Sequence, residues 1–439
     1  MKTAILGGGL SGLTLARLLA ARNEDIIILE AGDRIGGLCQ SVRKDGFTFD
    51  TGGSHIIFSR DQEVLSFMHE ALACNRNECE RNTKIFYKGL SIKYPFENGL
   101  YALPKEDLFF CINEFLKALI ASEKGEFSPP ANFKEWIYQT FGKGIAECYM
   151  VPYNEKIWNY NTEKMSAHWM EGRVPRPPVE DVIRSAIGIE TEGYTHQSVF
   201  SYPLDGGIES LVHAISEPVT DRIVTGFRVT SVTRDNGKWV IGDGTRTFIV
   251  DRCISTIPLQ YLIPTLKDVP GEVKKALDDL KYNSLVSVSI GIKGEVPPVS
   301  WMYIPDEKTG MENRISFPSN FSPGNAPGGC SSILAEITYN EGDAVSTMSD
   351  REIIEHVTSS LAGTGLVSPG SVISTGVYRH RFAYVVYDLD YLKNIAIVRE
   401  YCRNIGISLV GRFSRFEYLN MDGCIRDVID FVREQLACG

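Results

Sequence analysis

Two short apolar runs with a helical pattern between them open the chain. The first run, "TAILGGG", ends in glycines, apolar residues then recur at positions 13, 15, 18 and 19, and the second run is "DIIILE". Apolar runs of this length bounded by glycine or charge predict buried strands, and a spacing of three to four residues predicts an amphipathic helix. The pattern therefore predicts a strand–helix–strand unit over residues 3–30.

Further along the chain the pattern changes twice. Residues 100–193 carry helical runs such as "LFFCINEFLKALIAS" and "FKEWIYQTFGKGIAECYM". Residues 261–368 mix strand-like runs, "LVSVSIGIK" and "SSILAEITYN", with one amphipathic helix, "DREIIEHVTSSLA". A strand–helix–strand start followed by a helical block and a β-rich block predicts an α/β protein of two or three domains.

The turn after the first strand carries a nucleotide-binding motif. Its glycines are Gly7, Gly9 and Gly12, and the second strand ends in Glu30, 18 positions beyond the third glycine. In this context the first glycine permits the tight turn, the second lets a pyrophosphate approach the backbone, and the third lets helix and strand pack closely. The positive helix N-terminus would face the pyrophosphate and Glu30 the ribose hydroxyls. We therefore predict a dinucleotide site.

Composition narrows the classes of function. The chain of 439 residues has a net charge of −10 and no contiguous basic stripe, which argues against a nucleic-acid partner but permits a small anionic ligand. No run of about 18 apolar residues predicts a membrane span, and the start lacks the pattern of a signal peptide. The ten cysteines are scattered without a Cys-x-x-Cys pair. We therefore expect reduced thiols, no metal site and a cytoplasmic protein.

The residues after Glu30 resemble a particular group of flavoproteins. "EAGDRIGGLCQS" adds an arginine and a second glycine pair, "YPLDGGIESL" resembles the Pro-x-x-Gly-Gly turn of that group, and "LVGRFSRFEYLNMDGCIRDVIDFV" resembles its last strand, loop and helix. Together these segments resemble the FAD-dependent amine oxidases, phytoene desaturases, protoporphyrinogen oxidases and UDP-galactopyranose mutases. The resemblance implies an FAD cofactor, with contacts from Gly7, Gly9, Leu10, Ser11, Gly12, Glu30, Arg34, Gly36, Gly37, Leu38, His55, Val229, Thr256, Gly411, Arg412, Asn420, Met421 and Asp422.

Four central segments place aromatic residues beside isolated arginines. They begin at residues 94, 151, 301 and 378, and they contain Arg173, Tyr303, Arg314 and Tyr384 among others. Arginine can donate two parallel hydrogen bonds to phosphate oxygens, and aromatic rings can stack on a base or a sugar. The pattern is typical of a site that clamps a diphosphate. Aromatic residues at such spacings are also typical of a core, and Arg173 is compatible with a solvated or helix-capping charge.

The same segments resemble the UDP-galactopyranose mutase family along nearly the whole chain. "GGSHIIFS", here named the histidine loop (residues 52–59), resembles a flavin-side loop of eukaryotic members with one extra residue before His55. "YPFEN" resembles their uracil segment. "PYNEKIWNYNTEKM" resembles the stretch that leads to their first phosphate arginine, and "NRISFPSNFSP" resembles the strand that carries the second. The resemblance implies His55, Arg173 and Arg314 as catalytic residues. It implies a substrate site formed by Tyr94, Phe96, Glu97, Asn154, Trp158, Arg173, Gln197, Tyr303, Arg314, Tyr384 and Tyr418.

The resemblance also implies a reaction. Members of the family interconvert the pyranose and furanose forms of UDP-galactose by nucleophilic attack of reduced flavin on the anomeric carbon. We therefore expect NADPH or NADH as the reductant, a nucleotide sugar as the small-molecule partner, and possible homo-oligomers.

Two departures from the family pattern bear on the substrate. Glu97 stands where the eukaryotic pattern has glutamine, and Gln197 stands where an asparagine is expected. They leave open a mutase that acts on a different nucleotide sugar: another UDP-hexose, a TDP-sugar or a GDP-sugar. The other alternative is an FAD-dependent oxidoreductase of the amine oxidase, protoporphyrinogen oxidase or desaturase type.

By the same resemblance we expect three domains. The first is a discontinuous, Rossmann-like FAD-binding domain of residues 1–85, 203–260 and 370–439, with a parallel sheet, helices on both faces and a small antiparallel layer. Residues 100–193 form a helical domain. Residues 86–99, 194–202 and 261–369 form an antiparallel-sheet domain that walls the substrate cleft.

Overall fold

Strands and helices alternate at both ends of the chain, and the middle is first helical and then mainly β. The computed structural model describes residues 1–170, 176–191, 198–368 and 370–437. The strands are β1 (Lys2–Leu6), β2 (Asp25–Leu29), β3 (Ser41–Lys44), β4 (Phe47–Asp50), β5 (Asn77–Glu80), β6 (Thr83–Tyr87), β7 (Leu90–Lys93), β8 (Val199–Tyr202), β9 (Ile223–Val224), β10 (Ser231–Asp235), β11 (Lys238–Gly242), β12 (Thr247–Val250), β13 (Arg252–Ser255), β14 (Lys281–Lys293), β15 (Trp301–Tyr303), β16 (Arg314–Ser316), β17 (Cys330–Tyr339), β18 (Val372–Val386) and β19 (Ser408–Leu409). The helices are α1 (Leu10–Ala20), α2 (Gln62–Leu72), α3 (Lys105–Glu123), α4 (Phe133–Ile145), α5 (Val151–Trp158), α6 (Val179–Ala186), α7 (Glu209–Ser216), α8 (Leu259–Leu262), α9 (Gly271–Asp279), α10 (Ala344–Thr347), α11 (Asp350–Gly363), α12 (Tyr391–Ile405) and α13 (Met421–Ala437).

Five parallel strands in the order β19–β13–β1–β2–β9 form the sheet of the first domain. They come from three separate parts of the chain, so this domain is discontinuous, as predicted. Successive side chains of a strand point to opposite faces of a sheet. Here Ile5 packs with α1, α7 and α13, whereas Ala4 and Leu6 pack with the antiparallel strands β10–β12 and with α9 and α12. Both faces of the parallel sheet are therefore covered.

The turn between β1 and α1 has no room for a side chain at two positions. Gly7 has a φ of +103°, and a Cβ on Gly12 would lie 2.0 Å from the carbonyl oxygen of Gly7. Because these positions are glycine, α1 begins at Leu10 just beyond the strand, with Gly9 as its N-cap. The N-terminus of α1 thus lies at the carboxyl edge of the parallel sheet, where ligands bind in open α/β sheets.

A second sheet has seven strands in the order β18–β14–β17–β16–β15–β6–β7. Its pairs are antiparallel except for β6 with β15, and β18 pairs with β14 over most of its length. The predicted boundaries of the first domain at residues 85 and 370 are therefore wrong, because residues 83–85 and 372–386 belong to this sheet. The β14–β18 ladder joins strands that are far apart in sequence, so the periodicity of residues 370–386 could not reveal it. The chain returns to the first domain at α12.

Helices α3 to α6 form the helical part of the fold. Two glycines let α3 and α4 approach closely: Gly142 has a φ of +73°, and a Cβ on Gly144 would lie 2.5 Å from the Cα of Cys111. A π-helical turn at Ala146–Met150 leads into α5, which packs against β17. This packing brings α5 to the seven-stranded sheet. None of the helices described is long and apolar enough to cross a membrane.

Candidate active site

A cavity of about 780 Å³ lies between the carboxyl edge of the parallel sheet and the seven-stranded sheet. Its lining includes the predicted cofactor residues Gly9, Leu10, Ser11, Gly36, Gly37, Leu38, His55, Thr256, Arg412, Asn420, Met421 and Asp422, and the predicted substrate residues Tyr303, Arg314, Tyr384 and Tyr418. Other predicted site residues lie outside this lining: Gly7, Gly12, Glu30, Arg34, Val229, Gly411, Tyr94, Phe96, Glu97, Asn154 and Trp158. Arg173 and Gln197 lie outside the described residues. The fold thus brings segments from both predicted sets to one cavity.

Backbone N–H groups and helix N-termini face one end of the cavity. The carboxylate of Glu30 accepts hydrogen bonds from the N–H groups of Gly8 (2.6 Å) and Gly32 (2.7 Å), which fixes the glycine turn. Beside that turn Gly9 is open, since no atom lies within 4 Å of the position its Cβ would take. The first residues of α1 and α13, Leu10 and Met421, both line the cavity. Helix N-termini carry partial positive charge, so this end fits the pyrophosphate of a dinucleotide.

Two predicted cofactor residues hold neighbouring elements together. The guanidinium of Arg34 donates to the carboxylate of Glu209 at 2.6 Å, which ties the segment after β2 to α7. Gly411 has a φ of +87°, and a Cβ there would lie 2.5 Å from the Oγ of Ser11. Glycine therefore lets the segment after β19 pass close to α1. Direct cofactor contacts from these two residues stay predictions.

The imidazole of His55 lines the cavity in its neutral form. Its Nδ1 lies 2.9 Å from the carbonyl oxygen of Gly53. A carbonyl oxygen can only accept, so Nδ1 carries the proton and Nε2 is left as an acceptor. Burial lowers the pKa of His55 to about 4, and the charges of Arg314 and Arg412 act in the same direction, against the effect of the Gly53 hydrogen bond. The ring is therefore uncharged at neutral pH.

Glu336 on β17 joins the histidine loop to Arg314. The Nε and Nη2 of Arg314 donate to the two carboxylate oxygens of Glu336 at 2.8 and 2.7 Å, and the N–H of Ser54 donates to the same carboxylate at 3.1 Å. A Cβ on Gly53 would lie 2.9 Å from Glu336 Oε2, so the loop passes close to this carboxylate. The side chain of Glu336 is 1% exposed, whereas that of Arg314 is 22% exposed. One side of the guanidinium is thus paired, and its Nη1 is directed away from Glu336.

Sequence reasoning missed Glu336, although a signal was present. The residue stands inside the apolar run "SSILAEITYN", and a carboxylate in a buried strand requires a charged or hydrogen-bonding partner. Although burial favours the neutral form of Arg314, the carboxylate of Glu336 outweighs it and raises the pKa of Arg314 well above its usual range. Arg314 therefore stays charged, in a fixed orientation.

Aromatic rings surround Arg412 on the other side of the cavity. Its guanidinium carbon lies 4.9 Å from the ring centre of Tyr418 and 5.2 Å from that of Tyr384. Trp158 contacts both tyrosines edge-on from behind, with ring centres 5.3 and 5.8 Å away. Burial raises the pKa of Tyr384, so its hydroxyl remains protonated. Trp158 therefore supports the tyrosines that line the cavity.

The predicted contacts of the "YPFEN" and "PYNEKIW" segments need correction. Phe96 is fully buried and stacks on Tyr149 at 5.1 Å, and Glu97 is 3% exposed, so both lie in the interior behind the cavity. Apolar packing dominates here because this segment joins β7 to the helical part. Asn154 accepts a hydrogen bond from the indole N–H of Trp158 at 3.1 Å, which orients that ring. Tyr94 lies beside the lining, with its ring 5.2 Å from that of Tyr303.

The cavity lining is rich in arginine, which sequence reasoning recognised only in part. Arg81 also lines the cavity, with its guanidinium 4.9 Å from the ring of Trp301 and 5.2 Å from that of Tyr94. Among the described residues the lining contains five arginines, at positions 81, 314, 379, 381 and 412, and one acidic residue, Asp422. Three of these arginines pair with carboxylates outside the lining, Arg314 with Glu336, Arg379 with Asp350 and Arg381 with Glu341. A cleft lined by one sign of charge attracts ligands of the opposite sign. Among the described residues no cluster could hold a metal ion.

Comparison with known proteins agrees with this geometry. The family model of flavin-containing amine oxidoreductases matches residues 10–385. A crystal structure of reduced UDP-galactopyranose mutase superposes with a TM-score of 0.90 and 27% sequence identity, covering 100% of this chain and 96% of that chain. The dTDP-fucopyranose mutase of Escherichia coli is 25% identical over 220 residues, which is 46% of this chain and 54% of that protein. The match thus spans about half the length of this curated relative.

A more distant structure shows how widely the fold is used. A putative protoporphyrinogen oxidase from Exiguobacterium superposes with a TM-score of 0.75 at 18% identity, over 99% of this chain and 98% of that chain. Identity this low shows the fold alone. The predicted fold class and the predicted resemblance to UDP-galactopyranose mutase are confirmed. Since the family model matches most of the chain, this protein belongs to the flavin-containing amine oxidoreductase family.

Proposed function

We propose that this chain is a flavin-dependent mutase that interconverts the pyranose and furanose forms of a nucleotide sugar, with UDP-galactose as the first candidate. The observation that carries the proposal is that the glycine turn with two helix N-termini and the Arg314–Glu336 pair open into one cavity. The similarity to reduced UDP-galactopyranose mutase over the whole chain supports it. In this reaction the bond from C1 to the diphosphate breaks and re-forms, and ring closure moves to another hydroxyl, so no net oxidation occurs.

The first part of the proposal is the cofactor site. FAD would be held by the backbone of Gly9, by the N-termini of α1 and α13, and by Glu30, whose carboxylate can accept from ribose hydroxyls besides the two N–H groups it already binds. When bound and reduced, FAD supplies the nucleophile for the anomeric carbon. We propose NADPH or NADH as the reductant.

The second part concerns the side chains that hold the substrate. Arg314, with Tyr303 across from it on β15, would bind the diphosphate and stabilise the charge that develops as it leaves the sugar. Such a preorganised contact contributes on the order of 10²–10³ in rate. Because Glu336 fixes its orientation, Arg314 needs little reorganisation when the charge appears. Arg173 and Gln197 are proposed to complete the substrate site.

The third part concerns His55. Its Nε2 is an acceptor at neutral pH, since Nδ1–H is committed to the carbonyl of Gly53. A neutral acceptor beside the flavin site would favour a protonated flavin nitrogen as its donor. His55 would therefore respond to the redox state of the cofactor without itself changing charge.

A second candidate is a mutase for a dTDP-sugar. The similarity to the dTDP-fucopyranose mutase of Escherichia coli favours it. Glu97 lies in the interior behind the cavity, so it favours neither base. The base and the sugar are therefore the variables to be tested.

The experiment is an anaerobic turnover assay. The purified flavoprotein is reduced with dithionite, given UDP-galactofuranose or a dTDP-fucose substrate, and the isomers are separated by chromatography, with oxidised enzyme as the control. We expect turnover only in the reduced state. Turnover of the dTDP-sugar alone would establish the second candidate. Absence of both binding and turnover for every nucleotide sugar would refute the mutase and favour an amine oxidase or desaturase type of oxidoreductase.

A further inference from the structure

Lys156 is a buried lysine that neither predicted set of site residues includes. It lies on α5 and is 8% exposed. Its ammonium group donates three hydrogen bonds to backbone carbonyl oxygens, those of Gly310 (2.7 Å), Ile304 (2.9 Å) and Asp306 (3.2 Å). An ammonium has three donors, so all of them are used within one short stretch of chain.

That stretch, residues 304–313, is here named the connecting segment because it joins β15 to β16. β15 ends at Tyr303 and β16 begins at Arg314, and these two residues are direct partners in the ladder. The N–H of Ile304 donates to the carbonyl of Asn313 at 2.9 Å, which closes the base of the segment. Any change in the path of the connecting segment therefore reaches the two cavity-lining side chains at its ends.

Lys156 also ties the connecting segment to the other wall of the site. The carbonyl of Lys156 accepts a hydrogen bond from the hydroxyl of Thr338 on β17 at 3.0 Å, so α5 is anchored to the strand that carries Glu336. The same helix carries Trp158, which packs behind Tyr384 and Tyr418. One lysine thus links the helical part, the connecting segment and the central strand.

The charge of Lys156 is costly to bury, which argues against a purely apolar packing role. Burial lowers the pKa of Lys156 to about 8, against the opposing effect of the carboxylates of Glu312, Glu307 and Asp306. A methionine would fill the same space without this cost. It would remove this donor from the buried carbonyl oxygens of Ile304 and Gly310, whereas the carbonyl of Asp306 still accepts from the N–H of Thr309. What the lysine provides is therefore the path of the backbone.

We propose that Lys156 is a positioning residue, which holds the connecting segment in the shape that sets Tyr303 and Arg314 against the substrate. The inference rests on the proposed function for the roles of those two side chains. Its structural half, control of the connecting segment, is independent of the identity of the substrate.

The test compares Lys156→Met with the control Lys143→Met, in which an exposed lysine of the same helical part is replaced. Three measurements are made on the flavoproteins: the Kd for UDP by calorimetry, kcat/KM in the anaerobic assay with kcat and KM resolved, and the rate of tryptic cleavage after Lys308. Lys308 lies at the exposed tip of the connecting segment. Faster cleavage at this bond reports release of the connecting segment. A general loss of stability would instead increase cleavage at many sites.

For Lys156→Met we expect faster cleavage after Lys308, a Kd for UDP raised about tenfold, and a fall in kcat/KM on the order of 10². Flavin content should match that of the control. If Lys156→Met does not accumulate as a flavoprotein, Lys156→Gln replaces it. The amide keeps two N–H donors, and we expect intermediate effects on the same three quantities.

The inference fails if Kd, kcat/KM and the cleavage rate of the variant stay within twofold of those of the Lys143→Met control. Faster cleavage with unchanged UDP affinity and turnover would also overturn it, since the connecting segment would then not position Arg314. A wild-type protein that neither binds UDP nor isomerises a nucleotide sugar refutes the proposed function instead, and cleavage after Lys308 then tests the structural half by itself.

Discussion

Replacing Glu336 by glutamine should destabilise the protein more than any surface substitution of the same type. Glutamine keeps the shape of the side chain, but it has one acceptor oxygen where the carboxylate serves three donors from Arg314 and Ser54. Its amide group would face a guanidinium N–H, donor against donor. Arg314 would also lose the counter-ion that its partly buried position requires.

The magnitude follows from burial. Removing one partner of a buried ion pair costs roughly 3–5 kcal/mol. Because Arg314 keeps 22% of its side chain exposed, we expect the lower end, about 3 kcal/mol in the free energy of unfolding. Guanidinium titration of the flavin-loaded protein measures it. The control is Glu355→Gln, which breaks the exposed pair of Glu355 with Arg351 and should cost less than about 1 kcal/mol.

Repeating the unfolding measurement with UDP present makes this prediction more specific. The diphosphate of UDP offers Arg314 a replacement counter-ion, so UDP should raise the unfolding midpoint of Glu336→Gln more than that of the wild type. A loss of stability no larger than that of the Glu355→Gln control would refute the reasoning. So would an equal effect of UDP on variant and wild type, because Arg314 would then not face the diphosphate.

Three further substitutions test separate parts of the site. Arg314→Ala should lower turnover on the order of 10²–10³ without changing the flavin absorbance, and loss of that absorbance would assign the arginine a structural role. Gly12→Ala places a Cβ 2.0 Å from the Gly7 carbonyl oxygen, so the protein should purify without flavin. The control Gly271→Ala, which has open space at its Cβ, should retain it, and a flavin-loaded Gly12→Ala would contradict the steric argument. For His55, with its pKa lowered to about 4, the unfolded chain takes up a proton below its usual pKa of about 6.5 while the folded chain does not. Stability should therefore fall as pH falls from about 6.5 towards 4. Over that range the thermal midpoint of His55→Asn should change less with pH than that of the wild type. An equal dependence on pH in both proteins would show that other groups cause the loss.

The sequence predicted best what local sterics determine. The glycine turn and α1 follow from Gly7 and Gly12, whose roles depend on residues a few positions away and on one neighbouring strand. Strands β1 and β2 of the parallel sheet could be predicted because each carries its own apolar run, whereas the discontinuous form of the domain was expected from the resemblance. The cavity-lining positions of Arg314, Tyr303 and Tyr384 were reached through resemblance, because nothing in their own periodicity separates a cavity residue from a core residue.

What the sequence did not predict depends on long-range pairing. β18 has the alternation of a strand, but only its ladder with β14 shows that it belongs to the second sheet. Glu336 and Lys156 are buried charged residues, and each is explained by partners on other elements. Phe96 shows the opposite error, since an aromatic residue beside a polar pair proved to be core. A buried charge in an apolar run was the more reliable indication of the site.

The net charge of −10 is the clearest case of a sequence property that the fold overrides. Arg81 lies between β5 and β6, Arg314 begins β16, and Arg412 follows β19, so no stretch of sequence shows a basic patch. The fold gathers these arginines around one cavity, whose acidic lining residue is Asp422. A protein of net negative charge repels large polyanions. An arginine-rich cleft of low dielectric still attracts anions that are small enough to enter it. The missing basic stripe therefore argues only against a long polyanion such as a nucleic acid, and a diphosphate is the kind of anion that this charge distribution selects.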